Sequence, residues 1–341
     1  MRDAQTAKYV ISGLQRLSDV DRDGVGAFPI AEDCAAFDAD RHPMALEIPG
    51  NGIDEDCDGQ DVVDAVFQAP RSKHTVEVPE GDPDLILITI DSLRPDHLGF
   101  GGAQRRGITP NLDSFASRSV TFDAAYSQDS GTGPSLWSLM AGKTPFQTGI
   151  DNSGRFPPNF LESEVTLVRR LAKAGYHTVA LLCGSVFATR HWNLKEGFAT
   201  YREVCGKTRS KQAEKVTATA LDALKRGRAG DKPLFLWVHY YDPHEPYHDH
   251  PDLDFGTDAK ARYDEEIAYT DTHLGPLLDA LTSTRYHRRT YVALTADHGE
   301  NFGEHGKAPH ARTLYHEVTH VPLLFWGTEF EPRRVAEPVA L

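Results

Sequence analysis

An α/β fold with a mostly parallel sheet and helices on both faces is predicted for this chain of 341 residues, and three observations predict it. Runs of β-branched and aromatic residues alternate with helical stretches from Leu85 onward, the signature of repeated βα units. Two of these runs end in acidic residues: Leu85–Ile90 passes into Asp91, and Tyr291–Ala296 into Asp297-His298-Gly299-Glu300. A buried strand that stops in a hard anionic ligand places that ligand at the carboxyl edge of a parallel sheet, where such folds build their sites. Between them, Ser130–Gly142 is a small-residue loop turning into a helix, with Thr132 expected just before the first turn. Two acidic strand ends imply one metal, and Thr132 is the candidate nucleophile.

In chain order, residues 1–18 have an amphipathic helical pattern, with Tyr9, Val10, Leu14 and Leu17 on one side and no legible role. Residues 19–64 are rich in Asp, Gly and Pro without a regular period, so a small irregular Asp-rich module is expected there. Residues 65–84 read as a linker, and 85–341 as the catalytic domain. Within it strands are predicted at 85–90, 176–182, 233–240, 290–296 and 321–326. One helix starts at Thr109-Pro110, with Thr109 as cap and Pro110 in the first turn. Another follows Ser163 and closes before Gly175, and two more span 210–227 and 263–284.

The formal charge of -14 is local. Asp19 to Asp64 hold fourteen acidic side chains against Arg22 and Arg41, a balance of -12. The rest is near neutral and shows no basic face, which argues against nucleic acid as a partner.

Asp19-Val20-Asp21-Arg22-Asp23-Gly24 offers oxygens at alternate positions before a glycine turn, as calcium loops do. Asp33, Asp38 and Asp40 follow, then Asp54, Asp56 and Asp58. Such a segment has too few apolar residues to hold itself together, and a Cys34–Cys57 bridge with bound calcium would do so. For Cys183 and Cys205, two buried thiols and a second bridge both stay open. The acidic stretch resembles the Cys- and Asp-rich metal-binding repeat of secreted and surface bacterial proteins, related in style to thrombospondin type 3 calcium repeats.

No window reaches the length of a membrane span, and the first residues lack a signal peptide's apolar region. The cysteine pair and calcium-type module nevertheless point to the periplasm or cell surface. A fragment lacking an upstream export signal or anchor, and lacking C-terminal strands after Leu341, reconciles the two. Membrane contact is expected only through that anchor.

Four segments in order carry a second resemblance: Leu87–Gly99, Thr109-Pro110-Asn111-Leu112-Asp113, Thr132-Gly133-Pro134-Ser135, and Thr295–Glu300 with Gly303-Glu304-His305-Gly306. Together they resemble the sulfatase family of the alkaline-phosphatase superfamily, from about Leu85 to the end. The resemblance implies an alkaline-phosphatase-like sheet, metal ligation by Asp91, Asp297 and His298, and Thr132 bridging metal and substrate. Carboxylates with one imidazole favour Zn or Mn and leave Ca or Mg open.

The departures from that pattern bear on the substrate. Sulfatases carry Cys or Ser where Thr132 stands, because that residue becomes formylglycine, and Arg where Leu136 stands. Thr132 cannot be converted in that way. Ser92 replaces the usual second Asp, His298 the Asn of calcium sulfatases, and Gly184-Ser185-Val186-Phe187 the region of the sulfate-binding Lys and His. These changes resemble the Thr-nucleophile branch, which includes phosphoethanolamine and phosphoglycerol transferases.

In Trp237–Tyr247, the histidine before Glu-Pro matches a family residue that contacts the transferred group, so His244 is a catalytic candidate. His310 occupies the place of a leaving-group residue and is the candidate general acid. His239 reads equally as a core histidine, whereas His248 and His250 read as solvated. The expected function is an exported metal-dependent hydrolase or transferase acting on phosphoesters or phosphodiesters. Its substrate would be a phosphorylated or sulfated small molecule, lipid head group or glycan. The alternatives are a sulfate-ester hydrolase and a non-catalytic surface binding protein.

Overall fold

The computed structural model describes residues 82–341 except 106, 149, 151–165, 185–193, 207–211, 229–230, 284–288, 307–309 and 312, together with 34–35, 37–38, 41, 52–54, 57 and 59. The chain divides into two compact units, Met1–Pro79 and Glu80–Leu341.

In the first unit Cys34 and Cys57 form a disulfide. Asp54 Oδ2 accepts the Gly59 N–H at 2.9 Å, a local turn of the kind that positions carboxylates. Of the expected calcium carboxylates, Asp38 and Asp54 are described. Asp19, Asp21, Asp23, Asp33, Asp40, Asp56 and Asp58 lie outside the described residues, as does the helix expected in 1–18.

Among the described residues the second unit is built on a sheet of nine strands in the order β4-β3-β5-β1-β6-β7-β2-β8, with β9 also on β2. These are β1 (Asp84–Ile90), β2 (Val120–Tyr126), β3 (His177–Leu182), β4 (Thr200–Glu203), β5 (Leu234–Tyr240), β6 (Thr290–Ala296), β7 (His320–Gly327), β8 (Arg333–Val335) and β9 (Val339–Ala340). The strands from β4 to β6 are parallel, and β7 runs antiparallel to both β6 and β2. β5, Leu-Phe-Leu-Trp-Val-His-Tyr, is buried at all seven positions, as expected of a central strand covered on both faces.

Alternation along β1 divides the core. Ile86, Ile88 and Ile90 face α1 (Pro110–Ala116), α4 (Ala213–Arg228) and α5 (Ala259–Thr282), through Phe115, Val216 and Ile267 among others. Leu87 faces the opposite layer, where Leu136, Trp137 and Met140 of α2 (Thr132–Ala141) meet Val168 of α3 (Leu167–Lys173). Successive strand residues pointing to opposite faces are what allow one sheet to hold two apolar layers.

One local expectation is corrected. Thr109 precedes α1 without capping it, since its hydroxyl donates instead to Asp113 Oδ1 at 3.2 Å and accepts from Gly99 N–H at 2.9 Å. Asp271 of α5 caps α1 from outside, accepting from Leu112 N–H at 2.8 Å and Asn111 N–H at 3.1 Å. The N–H groups of the helix start, which have no partner within the helix, stabilise this buried carboxylate, an arrangement worth about 1 kcal/mol in typical caps. Thr166 caps α3, while Ser163 lies outside the described residues. Cys183 and Cys205 form a second disulfide, deciding the alternative left open by the sequence. It ties the end of β3 to the segment after β4.

Candidate metal centre and nucleophile

Parallel register brings the site together. Ile90 lies opposite both Ala296 and Tyr240, so the residues after β1 and β6, Asp91 and Asp297, emerge side by side at the carboxyl edge. Both are buried, at 2% and 1% exposure. The chain turns sharply after Asp91, with Ser92 in the left-handed region at φ 58°. From there Ser92 donates its N–H to Asp297 Oδ1 at 3.2 Å and its hydroxyl to Asp91 Oδ1 at 2.9 Å. The His298 N–H reaches the same Asp297 oxygen at 2.9 Å. Asp297 Oδ2 is buried and has no hydrogen-bond partner among the described residues.

His298 donates Nδ1–H to the Gly299 carbonyl at 2.8 Å, so Nε2 carries the lone pair. That nitrogen lies 3.1 Å from Thr132 Oγ1, 3.5 Å from Asp91 Oδ1 and 3.6 Å from Asp297 Oδ2. Gly299 is required here for space, because a Cβ would fall on the Glu317 carbonyl. Thr132 proves to be the first residue of α2 rather than the residue before it, with Gly131 at the cap position. Its hydroxyl therefore sits at the positive end of a ten-residue helix, where negative charge is favoured.

One contributor escaped the sequence reading. His239, expected equally as a core histidine, holds Nε2 3.5 Å from Asp91 Oδ2, while its Nδ1 pairs with Thr89 Oγ1 at 2.7 Å. Ligand atoms of Asp91, His239 and Asp297 all lie within 4.8 Å of one another. A carboxylate oxygen buried without a hydrogen-bond partner, beside an imidazole lone pair, is the donor set that a divalent cation completes. The chain's residues thus fit such an ion.

The electrostatics agree. Burial, with the charge of Asp91 beside it, pushes the Asp297 carboxyl up to about 7. For Asp91 burial also works upward, but His244, His239 and His298 outweigh it and hold that carboxyl below the usual range. Burial and the nearby His310 push His298 down, favouring the neutral imidazole that a metal needs.

The two candidate proton-transfer residues lie beside this cluster. The His310 ring is centred 4.6 Å from His298 and 4.8 Å from His244. Glu300, fully buried, accepts from His310 Nδ1 at 3.0 Å and from the Tyr247 hydroxyl at 2.9 Å. Burial alone would lower the His310 pKa, but the bond to Glu300 and its charge raise it. Asp91, Thr132, His244, Asp297, His298 and His310 are therefore all neighbours. Glu300 stood in the Asp-His-Gly-Glu run without an assigned role, and Tyr247 at the end of the His244 segment. His250, expected in solvent, is buried at 5% exposure and pairs with Glu266 at 2.9 Å, because the loop after β5 folds back on α5. His248, also expected in solvent, is half-buried, its N–H donating to Glu266.

A mostly parallel sheet with acidic residues and a helix-start hydroxyl at its carboxyl edge defines a protein of the alkaline-phosphatase-like α/β class. The family model for sulfatases matches residues 83–340, and the chain belongs to the sulfatase family. A metal-binding motif model of the MopE copper-binding type matches residues 33–61. Human iduronate 2-sulfatase is 23% identical over 331 residues, covering 71% of this chain and 59% of its own length. Canine N-acetylgalactosamine-6-sulfatase is 27% identical over 266 residues, covering 64% and 50%. The chain thus spans between half and two thirds of the length of these relatives.

Among solved structures, an alkaline phosphatase superfamily protein from Vibrio parahaemolyticus superposes with TM-score 0.59 at 21% identity, covering 76% of this chain and 63% of its own. The soluble domain of lipooligosaccharide phosphoethanolamine transferase A from Neisseria meningitidis gives 0.58 at 18%, covering 74% and 78%. The phosphonate monoester hydrolase of Agrobacterium radiobacter also gives 0.58 at 18%, covering 76% and 71%.

Proposed function

We propose that this chain carries the catalytic site of an exported, metal-dependent hydrolase or transferase that acts on phosphoesters or phosphodiesters through Thr132. The observation that carries the reading is the Thr132 hydroxyl at a helix start, 3.1 Å from His298 Nε2 and beside two buried carboxylates. A threonine there excludes formylglycine chemistry and leaves direct attack by the hydroxyl. Relatives by sequence are named as sulfatases, whereas a phosphoethanolamine transferase and a phosphonate monoester hydrolase share the fold, so both ester classes enter the test.

Asp91, Asp297 and His298, with His239 beside Asp91, would hold a divalent cation, zinc or manganese by donor type, and when bound it acidifies the hydroxyl and offsets charge growing on phosphorus. Thr132 Oγ1, as the alkoxide left once its acidified proton has gone to solvent, forms the bond to phosphorus as the bond to the leaving oxygen breaks. It is released as the alkoxide again at the end of the cycle. His310, held at Nδ1 by Glu300, gives that oxygen a proton from Nε2. Water or an acceptor alcohol then attacks phosphorus, loses its proton to His310, and frees Thr132. His244 faces the same space as a contact to the transferred group.

Two disulfides favour an oxidising compartment, the periplasm or cell surface. Among the described residues no helix is long and apolar enough to cross a membrane. Thr132→Ala should abolish turnover of aryl phosphates and phosphodiesters while leaving the melting curve of the metal-free protein unchanged. Full activity in that variant overturns the nucleophile assignment, and a strong preference of the parent for matched sulfate esters overturns the substrate class.

A further inference from the structure

We propose that Tyr263, remote in sequence and placed on α5, is a positioning residue for the two metal-binding carboxylates and acts through the backbone of Ser92. The inference rests on the metal site proposed above, but not on the substrate class. It begins with the conformation of Ser92. A left-handed φ of 58° costs any residue with a Cβ, and persists where surrounding bonds hold it.

Tyr263 supplies those bonds. Its hydroxyl donates to the Ser92 carbonyl at 2.7 Å and accepts the Arg94 N–H at 2.9 Å, so one phenol oxygen spans the turn on both sides. The ring is fully buried and packs edge-on against His97 and Phe302, at 5.0 and 5.1 Å between centroids, which fixes where the hydroxyl points. In the braced turn Ser92 uses both of its donors inward, the N–H on Asp297 Oδ1 and the hydroxyl on Asp91 Oδ1. Each carboxylate then has one oxygen held by the same residue. Asp297 Oδ2 stays free of hydrogen bonds among the described residues, in reach of an ion. Groups that orient ligands from outside the coordination sphere commonly set affinity by ten- to a hundred-fold. Tyr263 does so one step further out, by holding the residue that orients both ligands.

The test is zinc binding by the full chain, stripped with chelator and titrated against a chromophoric competitor. Tyr263→Phe keeps the ring and removes the hydroxyl, and should weaken zinc binding by about ten-fold or more. A purely structural tyrosine would lower the melting temperature of the metal-free protein and leave zinc affinity unchanged, and that result overturns the proposal. Ser92→Gly supplies the second comparison, because glycine takes the left-handed turn without a brace. Adding Tyr263→Phe to Ser92→Gly should cost no more than about two-fold, a coupling read from the double-mutant cycle. Equal losses in both backgrounds overturn the proposal, as does a parent chain that takes up no zinc. Retained turnover in Thr132→Ala would sink the nucleophile reading and leave this comparison intact.

Discussion

Glu300 Oε1 and His310 Nδ1 lie 3.0 Å apart, so a fully buried carboxylate determines which nitrogen of His310 is engaged and leaves Nε2 turned to the site. Glu300 also takes the Tyr247 hydroxyl at 2.9 Å, and its carbonyl takes Arg94 Nη1 at 3.0 Å. Glu300 is thereby held at its carboxylate by Tyr247 and at its backbone by Arg94, and the imidazole is held with it.

If His310 protonates the leaving oxygen, its removal should matter only where that oxygen needs a proton. His310→Gln is expected to cut kcat/KM for alkyl phosphoesters by about 10²- to 10⁴-fold and to change 4-nitrophenyl esters little. Glu300→Gln should show the same pattern in weaker form, since an amide oxygen can still accept from Nδ1. Rates across a leaving-group series measure this. A uniform loss along the series would assign His310 to binding instead.

The carboxylate pair predicts metal dependence. Asp297→Asn and Asp91→Asn should each leave the purified chain without stoichiometric zinc or manganese by elemental analysis. EDTA should silence the parent, and zinc or manganese should restore it. Metal content in either variant equal to that of the parent would place the ion elsewhere.

A third prediction concerns pH and Asp242, in the loop that carries His244. Its Oδ1 accepts the Gln212 N–H at 2.6 Å just before α4, and burial, with the charge of Glu266 adding, pushes its carboxyl up to about 7. The folded chain then binds a proton that the unfolded chain releases near 3.8. This contribution to stability is greatest at low pH, falls as pH rises from about 4 to about 7, and stays low above that. Asp242→Asn keeps the acceptor and removes the charge. Its melting temperature relative to the parent should therefore be more favourable at pH 8 than at pH 5, by a few degrees, taking roughly 2–4 °C per kcal/mol for a domain of this size. Melts at the two pH values check it, and a variant that loses ground at pH 8 would show that the charged cap matters more than its burial.

For the acidic module, calcium is expected to supply the order that apolar burial cannot. Residues 19–64 should become protease-sensitive in EDTA while the unit from Glu80 stays protected, and reduction of Cys34–Cys57 should weaken calcium binding. Identical digestion patterns with calcium and with chelator would make the segment an ordinary acidic linker.

The sequence by itself determined the central strands and the order of the chemistry along the chain. β1, β5 and β6 were legible because strands covered on both faces are written as continuous apolar runs, and Asp91, Asp297 and Thr132 because each stands at the end of such a run or the start of a helix. β2 and β4 were not legible: Val-Thr-Phe-Asp-Ala-Ala-Tyr and Thr-Tyr-Arg-Glu lie toward the flanks, with mixed burial, and carry no comparable signal. Thr109 read as a cap, yet a carboxylate from Asp271 took that role, since local propensity yields to a better partner brought in by packing. The meeting of Asp91 with Asp297, the approach of His239 to Asp91, the hold of Glu300 on His310 and the brace of Tyr263 on Ser92 were decided only in three dimensions. Except for the Glu300–His310 pair, each joins residues more than a hundred positions apart, and strand register and helix packing, which no local pattern encodes, set which of them touch.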